Sequence, residues 1–187
     1  MKNAQVVFLD RDGVINEYPG RYKYVTSAQG FRLLPGVREA LARLVSAGFR
    51  LFIVSNQAGV AKGLYTRDAL DEINALMLRQ LGPEVRFENI FYCTHLPEAQ
   101  CGCRKPGTAF IDAAEQQLLS QGMAIDRRSS YFIGDSMRDI ETGRKAGLCT
   151  ILVFSGSESP GNEPAWQLRP DETAPDLPGA VELILSR

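Results

Sequence analysis

Five short apolar runs recur along the chain, and their spacing limits the folds it can reach. Val6-Val7-Phe8-Leu9 stops at Asp10, Leu51-Phe52-Ile53-Val54 runs into Ser55-Asn56-Gln57, and Tyr131-Phe132-Ile133 enters Gly134-Asp135. Ile90-Phe91-Tyr92 and the stretch from Thr150 to Phe154 have the same character. Each is too short for a helix, is rich in β-branched and aromatic side chains, and lacks polar alternation, so it reads as a strand covered on both faces. Helical stripes separate the runs. Val37, Leu41, Leu44 and Val45 precede a glycine stop at Gly48, and Leu70, Ile73, Met77 and Leu81 follow a Thr66 cap. Phe110, Ala114 and Leu118 mark a third stripe, residues around Ile140 a fourth, and Gly179 to Leu185 a last short helix. The expected class is α/β, a doubly wound Rossmann-like parallel sheet flanked by helices. Asn16 to Pro35 and Ser155 to Pro178 read as loops, and no internal repeat or low-complexity tract breaks the pattern.

A chain of 187 residues with 44% apolar side chains closes one sizeable core, so residues 1–187 are read as a single domain. No run approaches the roughly eighteen apolar residues that span a bilayer, and Met1 to Gln5 lack the layout of a signal peptide. The expected location is cytoplasmic, with no membrane partner. Lys plus Arg number 21 against 22 Asp plus Glu, a formal charge of −1 with no basic block, which argues against a nucleic-acid partner. A monomer is the default.

In a doubly wound sheet, ligands lie beyond the carboxyl ends of the strands, so the polar residues that follow each run carry the chemistry. Asp10 and Asp12 would share a face if the first strand simply continued. One carboxylate can then act as nucleophile and hold a cation while the other gives and takes a proton. Alone, Asp-x-Asp-Gly also fits calcium loops and plain turns. Ser55 and Asn56 offer a hydroxyl and an amide to phosphate oxygens, or simply cap a loop. Asp135 and Asp139 place two more acids at a sheet edge, where they can complement a helix dipole or, facing Asp10, make an oxygen-rich site suited to Mg²⁺. Lys105 is a cation able to offset the repulsion between nucleophile and phosphate, though a lone Lys is commonly a solvated surface charge.

Cys93, His95, Cys101 and Cys103 form the pattern C-x-H-x5-C-x-C and include the only histidine of the chain and three of its four cysteines. This is a closed four-ligand set, as structural Zn²⁺ requires, and no position remains for a catalytic water. Reduced free thiols are the plain alternative. Cys149 sits beside a strand and reads as a small buried apolar residue. Because Arg104 and Lys105 follow Cys103 directly, a metal on this loop would pin both cations.

Taken in order, Asp-x-Asp, Ser-Asn, Lys and Gly-Asp-x-x-x-Asp make the sequence resemble the haloacid dehalogenase superfamily of phosphatases, over nearly the whole chain up to Phe154. The resemblance implies Asp10 as the nucleophile that forms an aspartyl-phosphate and Asp12 as general acid and base. It implies that Ser55 and Lys105 steady the transferring phosphoryl group. It also implies Mg²⁺ held by Asp10, the Asp12 carbonyl and Asp135, with Asp139 close behind. Asp10-Arg11-Asp12-Gly13-Val14-Ile15-Asn16, Ser55-Asn56-Gln57-Ala58-Gly59 and Cys101-x-Cys-Arg-Lys-Pro106 narrow the likeness to the histidinol-phosphatase-like subgroup. That subgroup implies a zinc-binding loop, no large cap domain, an open site and a small-molecule sugar bisphosphate as substrate. Tyr18, Pro19, Gly20, Arg21, Ser55, Asn56, Gln57, Ala58, Arg104 and Lys105 would then contact the substrate, with Arg104 on a second phosphate. Histidinol phosphate is the rival substrate. A polynucleotide 3′-phosphate would need a basic groove that the net charge does not suggest, and a zinc-stapled module without catalysis would have no use for the acids and lysine that are all present.

Overall fold

A computed structural model describes all residues from Met1 to Arg187. Its strands are β1 (Lys2–Ala4), β2 (Val6–Leu9), β3 (Arg50–Asn56), β4 (Phe87–Cys93), β5 (Met123–Ile125), β6 (Tyr131–Gly134), β7 (Cys149–Val153) and β8 (Glu172–Ala174). The helices are α1 (Val37–Ser46), α2 (Arg67–Leu81), α3 (Ala109–Ser120), α4 (Met137–Lys145) and α5 (Leu177–Leu185). Six strands form one parallel sheet in the order β4-β3-β2-β6-β7-β8. From β2 the chain moves outward through β3 to β4, then crosses back to β6 on the other side of β2 and continues to β7 and β8. The direction therefore reverses between β2 and β6, and the crevice beyond their carboxyl ends is where such sheets bind ligands.

Alternating residues of each core strand enter opposite cores. Val7, Leu9, Leu51, Ile53, Ile133, Ile151 and Val153 pack with α1, α2 and α5. Val6, Phe8, Phe52, Val54 and Phe132 pack with α3 and the residues after α4. Each such side chain contributes roughly 1.5–3 kcal/mol by leaving water. Helix boundaries follow local chemistry. The Thr66 hydroxyl accepts the Ala69 N–H at 3.1 Å, Asp176 accepts that of Gly179 at 2.9 Å, and Pro178 stands in the first turn of α5.

Two features depart from the sequence-based expectation. The segment Ser155 to Pro178 is not wholly loop, because Glu172–Ala174 adds an edge strand to β7. Only Ala174 of the three is buried, so no apolar run announces the strand. A polar clasp holds it instead: Asp171 accepts the Thr150 N–H and hydroxyl, each at 2.8 Å, and returns its own N–H to that hydroxyl oxygen at 3.0 Å. The second departure is a small parallel pair, β1 with β5, lying outside the main sheet. No cap domain interrupts the sheet connections, and no helix is long and apolar enough to cross a membrane.

Candidate active site

Strand β2 ends at Leu9, where the apolar run stops, and the turn that follows brings Asp10 and Asp12 to one cavity. The Asp10 N–H still donates to the Ile133 carbonyl of neighbouring β6, at 3.0 Å. One Asp10 oxygen, Oδ1, accepts the Arg11 N–H at 2.7 Å, and the other pairs with Lys105 Nζ at 2.9 Å. Lys105 Nζ also lies 2.5 Å from Asp139 Oδ1. Asp139 Oδ2 is taken by the Ser136 N–H and hydroxyl at 3.1 and 2.6 Å, which closes a capping box on α4. Asp139 thus aims the lysine, and the lysine meets the nucleophile candidate.

Asp135 follows β6 and receives the Ser157 N–H at 2.7 Å on Oδ2, while its carbonyl accepts the Glu158 N–H at 3.0 Å. Gly13 faces it with φ +82°, and a Cβ at Gly13 would run into the Asp135 carboxylate. One carboxylate oxygen from each of Asp10, Asp135 and Asp139 lies within 4.8 Å of the other two. Burial is the chief force lifting Asp10 above the usual carboxylate range; Lys105 opposes it and Asp139 adds to it. Burial also raises Asp135 well above that range, helped by Asp10 and Asp139. Lys105 is desolvated too, yet Asp10 and Asp139 hold its pKa above the ordinary value, so it stays charged. When ionised, these three carboxyls around one ammonium carry an excess of negative charge. With all-oxygen donors, a small hard divalent cation is the group that fits.

Asp12 is held from the side away from the cavity. Arg11, wholly buried with its guanidinium 5.6 Å from the Tyr92 ring centre, donates to both Asp12 oxygens at 2.8 and 3.0 Å. Asn16 Nδ2 reaches Oδ1 at 2.9 Å and Gln57 Nε2 reaches Oδ2 at 2.9 Å. Burial pushes the Asp12 carboxyl up, but Arg11, Gln57 and Asn16 together pull it below its ordinary value.

These groups open on a cavity of about 300 Å³. Tyr18, Pro19, Gly20, Ser55, Asn56, Ala58, Arg104 and Lys105 line it as expected. Gln57 and Arg21 do not. Gln57 is wholly buried beneath the floor, its amide consumed by protein partners, and exposed Arg21 lies over the Tyr22 ring, 5.0 Å from its centre. The walls also include Lys23, Lys62 and Arg138, which with Arg104 give a cationic rim above an anionic floor. Tyr22, Tyr24, Pro97, Ser136 and Ser157 complete the lining and carried no signal in the sequence beyond lying near the motifs.

The cysteine cluster assembles beside this rim. Cys103 Sγ lies 3.4 Å from both Cys93 Sγ and His95 Nδ1 and 3.5 Å from Cys101 Sγ, and Cys93 Sγ lies 3.6 Å from His95 Nδ1 and from Cys101 Sγ. Sulfurs held about 2.3 Å from a tetrahedral ion stand about 3.8 Å apart, so these four atoms need little movement to enclose Zn²⁺. All four cysteines are free thiols; half-buried Cys149 lies apart in β7. Burial and hydrogen bonds among the sulfurs push the Cys93 thiol up to about 12, whereas burial of Cys101 is outweighed by bonds from Cys103 and Cys93, which bring it down to about 7. Two clasps bind this loop to β3. The Gln57 N–H donates to the Cys93 carbonyl at 2.7 Å, and Asn56 exchanges two hydrogen bonds with the Lys105 backbone.

Comparison with known proteins agrees with this arrangement. A HAD-hydrolase-like family model matches residues 102–180. Over 189 residues the chain is 37% identical to the D-glycero-D-manno-heptose-1,7-bisphosphate 7-phosphatase of Chlorobaculum tepidum, an alignment that covers 97% of this chain and 94% of the relative. The chain belongs to the D-glycero-D-manno-heptose-1,7-bisphosphate 7-phosphatase family. Another relative, the D-glycero-beta-D-manno-heptose-1,7-bisphosphate 7-phosphatase of Salmonella typhi, is 31% identical over 97% of each chain. Among solved structures, the D,D-heptose 1,7-bisphosphate phosphatase of B. bronchiseptica, complexed with magnesium and phosphate, matches with a TM-score of 0.84 at 29% identity, covering 97% of this chain and 98% of that one. The Burkholderia thailandensis enzyme of the same name gives 0.66 at 25% identity, covering 98% and 99%. Membership of this phosphatase family accords with a capless parallel sheet and a cysteine-histidine loop.

Proposed function

We propose that this chain is a Mg²⁺-dependent phosphomonoesterase that removes the C7 phosphate of D-glycero-D-manno-heptose 1,7-bisphosphate and leaves the 1-phosphate, a step of heptose supply for lipopolysaccharide. The observation that carries the reading is one cavity whose floor holds Asp10, Asp12 and Lys105 and whose rim holds Lys23, Lys62, Arg104 and Arg138. Such a site accepts an ester with one phosphate at the floor and a second anion at the edge. Family membership and the magnesium- and phosphate-bound relative support the same reading.

In this mechanism an Asp10 carboxylate oxygen attacks phosphorus, the bond from phosphorus to the C7 oxygen breaks, and Asp12, which must first take up a proton against the pull of Arg11, Gln57 and Asn16, gives it to that oxygen. Water then attacks phosphorus, giving a proton to Asp12, and the bond from phosphorus to the Asp10 oxygen breaks, which releases phosphate and restores the Asp10 carboxylate. Lys105 and the Ser55 hydroxyl stabilise charge on the transferring group, since such transition states depend on positioning and on cations around the equatorial oxygens. Asp10, the Asp12 carbonyl and Asp135 would hold Mg²⁺, which when bound offsets phosphate charge. Asp139 serves through Lys105. Cys93, His95, Cys101 and Cys103 would hold a structural Zn²⁺ that fixes Arg104 and Lys105, and a reducing cytoplasmic setting suits three thiols kept as ligands. Arg104 would meet the C1 phosphate, with Tyr18, Pro19, Gly20, Asn56 and Ala58 around the sugar.

The deciding experiment is phosphate release, with Mg²⁺, from the two anomers of the bisphosphate and from histidinol phosphate, compared as kcat/KM. A preference of about a hundredfold or more for one heptose anomer is expected. Faster turnover of histidinol phosphate would overturn the substrate while leaving the phosphatase chemistry.

A further inference from the structure

The Gln57 side chain leaves the end of β3 and turns away from the cavity into a wholly buried position. Its Nε2 donates to Asp12 Oδ2 at 2.9 Å and to Ser55 Oγ at 3.2 Å, so a single amino group serves two residues of the floor. An ionised carboxylate only accepts, which settles which end of the amide faces Asp12. The other end, Oε1, accepts the Tyr65 hydroxyl at 2.6 Å. Tyr65 is 7% exposed, and its ring occupies the place where a Cβ on Gly59 would stand. It also packs against Tyr24 of the cavity wall, with ring centres 6.2 Å apart. Tyr65, Gln57 and Asp12 therefore form a buried polar line running from behind the wall to the floor. Were the space only to be filled, an apolar side chain would serve with no desolvation cost.

We infer that Gln57 is a positioning residue for proton transfer: locked by Tyr65, it aims the Asp12 carboxyl at the leaving-group oxygen and, by occupying a Ser55 lone pair, turns the Ser55 proton toward the phosphoryl group. The inference rests on the proposed chemistry, in which Asp12 protonates the departing oxygen as the phosphorus–oxygen bond breaks. Gln57 changes no bond itself.

The test is the dependence of kcat/KM on leaving-group basicity, measured with full-length protein across a series from 4-nitrophenyl phosphate to simple alkyl phosphates. This quantity reports the step in which the leaving group departs. A well-placed general acid is worth about 10²–10⁴ for a basic leaving group and little for one that departs unaided. Gln57→Leu should lose roughly a hundredfold or more on the alkyl esters and under about tenfold on 4-nitrophenyl phosphate, so that the slope steepens toward that of Asp12→Asn. Tyr65→Phe should steepen it in the same direction by less, and it decides the matter if Gln57→Leu does not fold. An equal loss on every ester, with the slope of the unsubstituted protein, overturns the inference. Absence of phosphate release by the unsubstituted protein from the whole series and from the heptose bisphosphate and histidinol phosphate would overturn the phosphatase reading instead.

Discussion

Asn56 grips the backbone of Lys105 from both directions: its Oδ1 accepts the Lys105 N–H at 3.0 Å and its Nδ2 donates to the Lys105 carbonyl at 3.2 Å. One side chain at the end of β3 thereby sets where the lysine leaves the cysteine loop, 49 positions away. Asn56→Ala removes both bonds, each worth about 0.5–1.5 kcal/mol net. We expect kcat to fall by about tenfold or more as Lys105 drifts from Asp10, with a smaller drop in melting temperature. Steady-state kinetics beside a thermal melt check this, and unchanged kcat would count against the clasp.

Asp10→Asn keeps the shape of the residue that meets Lys105 but removes its nucleophilic oxygen. Turnover should fall by about a thousandfold or more while circular dichroism stays unchanged. Activity above a few per cent of the unsubstituted level is incompatible with an aspartyl-phosphate on this residue.

Arg104→Ala should weaken turnover of the bisphosphate about 10- to 100-fold in kcat/KM, the worth of one charge-assisted contact, and leave an aryl phosphate nearly unaffected. Equal losses on both substrates would remove Arg104 from contact with a second phosphate.

Asp10 and Asp135 titrate above the ordinary carboxylate range in the fold. A carboxyl with a raised folded pKa holds its proton more tightly when folded, so its stabilising contribution is full below about pH 3.9 and is lost as pH rises through the folded value. Asp12 has the opposite sign: its lowered pKa adds stability above about pH 3.9 that is lost as pH falls through the folded value. With zinc retained and Mg²⁺ withheld, the melting temperature should therefore decline as pH rises above about 4, and saturating Mg²⁺ should remove that decline. Superimposable curves with and without Mg²⁺ would argue against a cation among these acids.

Cys93 is pushed up to about 12 and Cys103 is raised, while Cys101 is brought down to about 7. Zinc binds thiolates, so loading the metal-free loop at pH 7 should release about two to three protons per ion. Calorimetric titration in buffers of different ionisation enthalpy measures that number. Elemental analysis should find one zinc per chain, and none in an active preparation would refute the site.

Much of this site was legible because its parts sit where apolar runs stop or where ligand spacing is unusual. Asp10 and Asp135 follow β2 and β6, Ser55 sits in the last residues of β3, and the cysteines and histidine crowd one loop. What sequence could not supply was direction. Gln57 follows the same strand as Ser55 and Asn56, yet its amide turns inward, because Asp12, Ser55 and Tyr65 offer it a full set of buried partners. Tyr65, lying just ahead of the Thr66 cap, carried no periodicity of its own. The edge strand β8 escaped notice for a related reason: it depends on the polar clasp between Thr150 and Asp171 and only slightly on apolar burial.

Ser155 hydrogen-bonds the Gly13 carbonyl across 142 positions, and Ser157 and Glu158 hold Asp135. A chain is made from its amino end, and parallel pairings of distant segments are slow to form. During synthesis the nucleophile candidate therefore emerges early but stands in an unfinished pocket until the residues after β7 have been made and have docked. The full set of contacts around Asp135 is therefore completed late, in step with completion of the sheet.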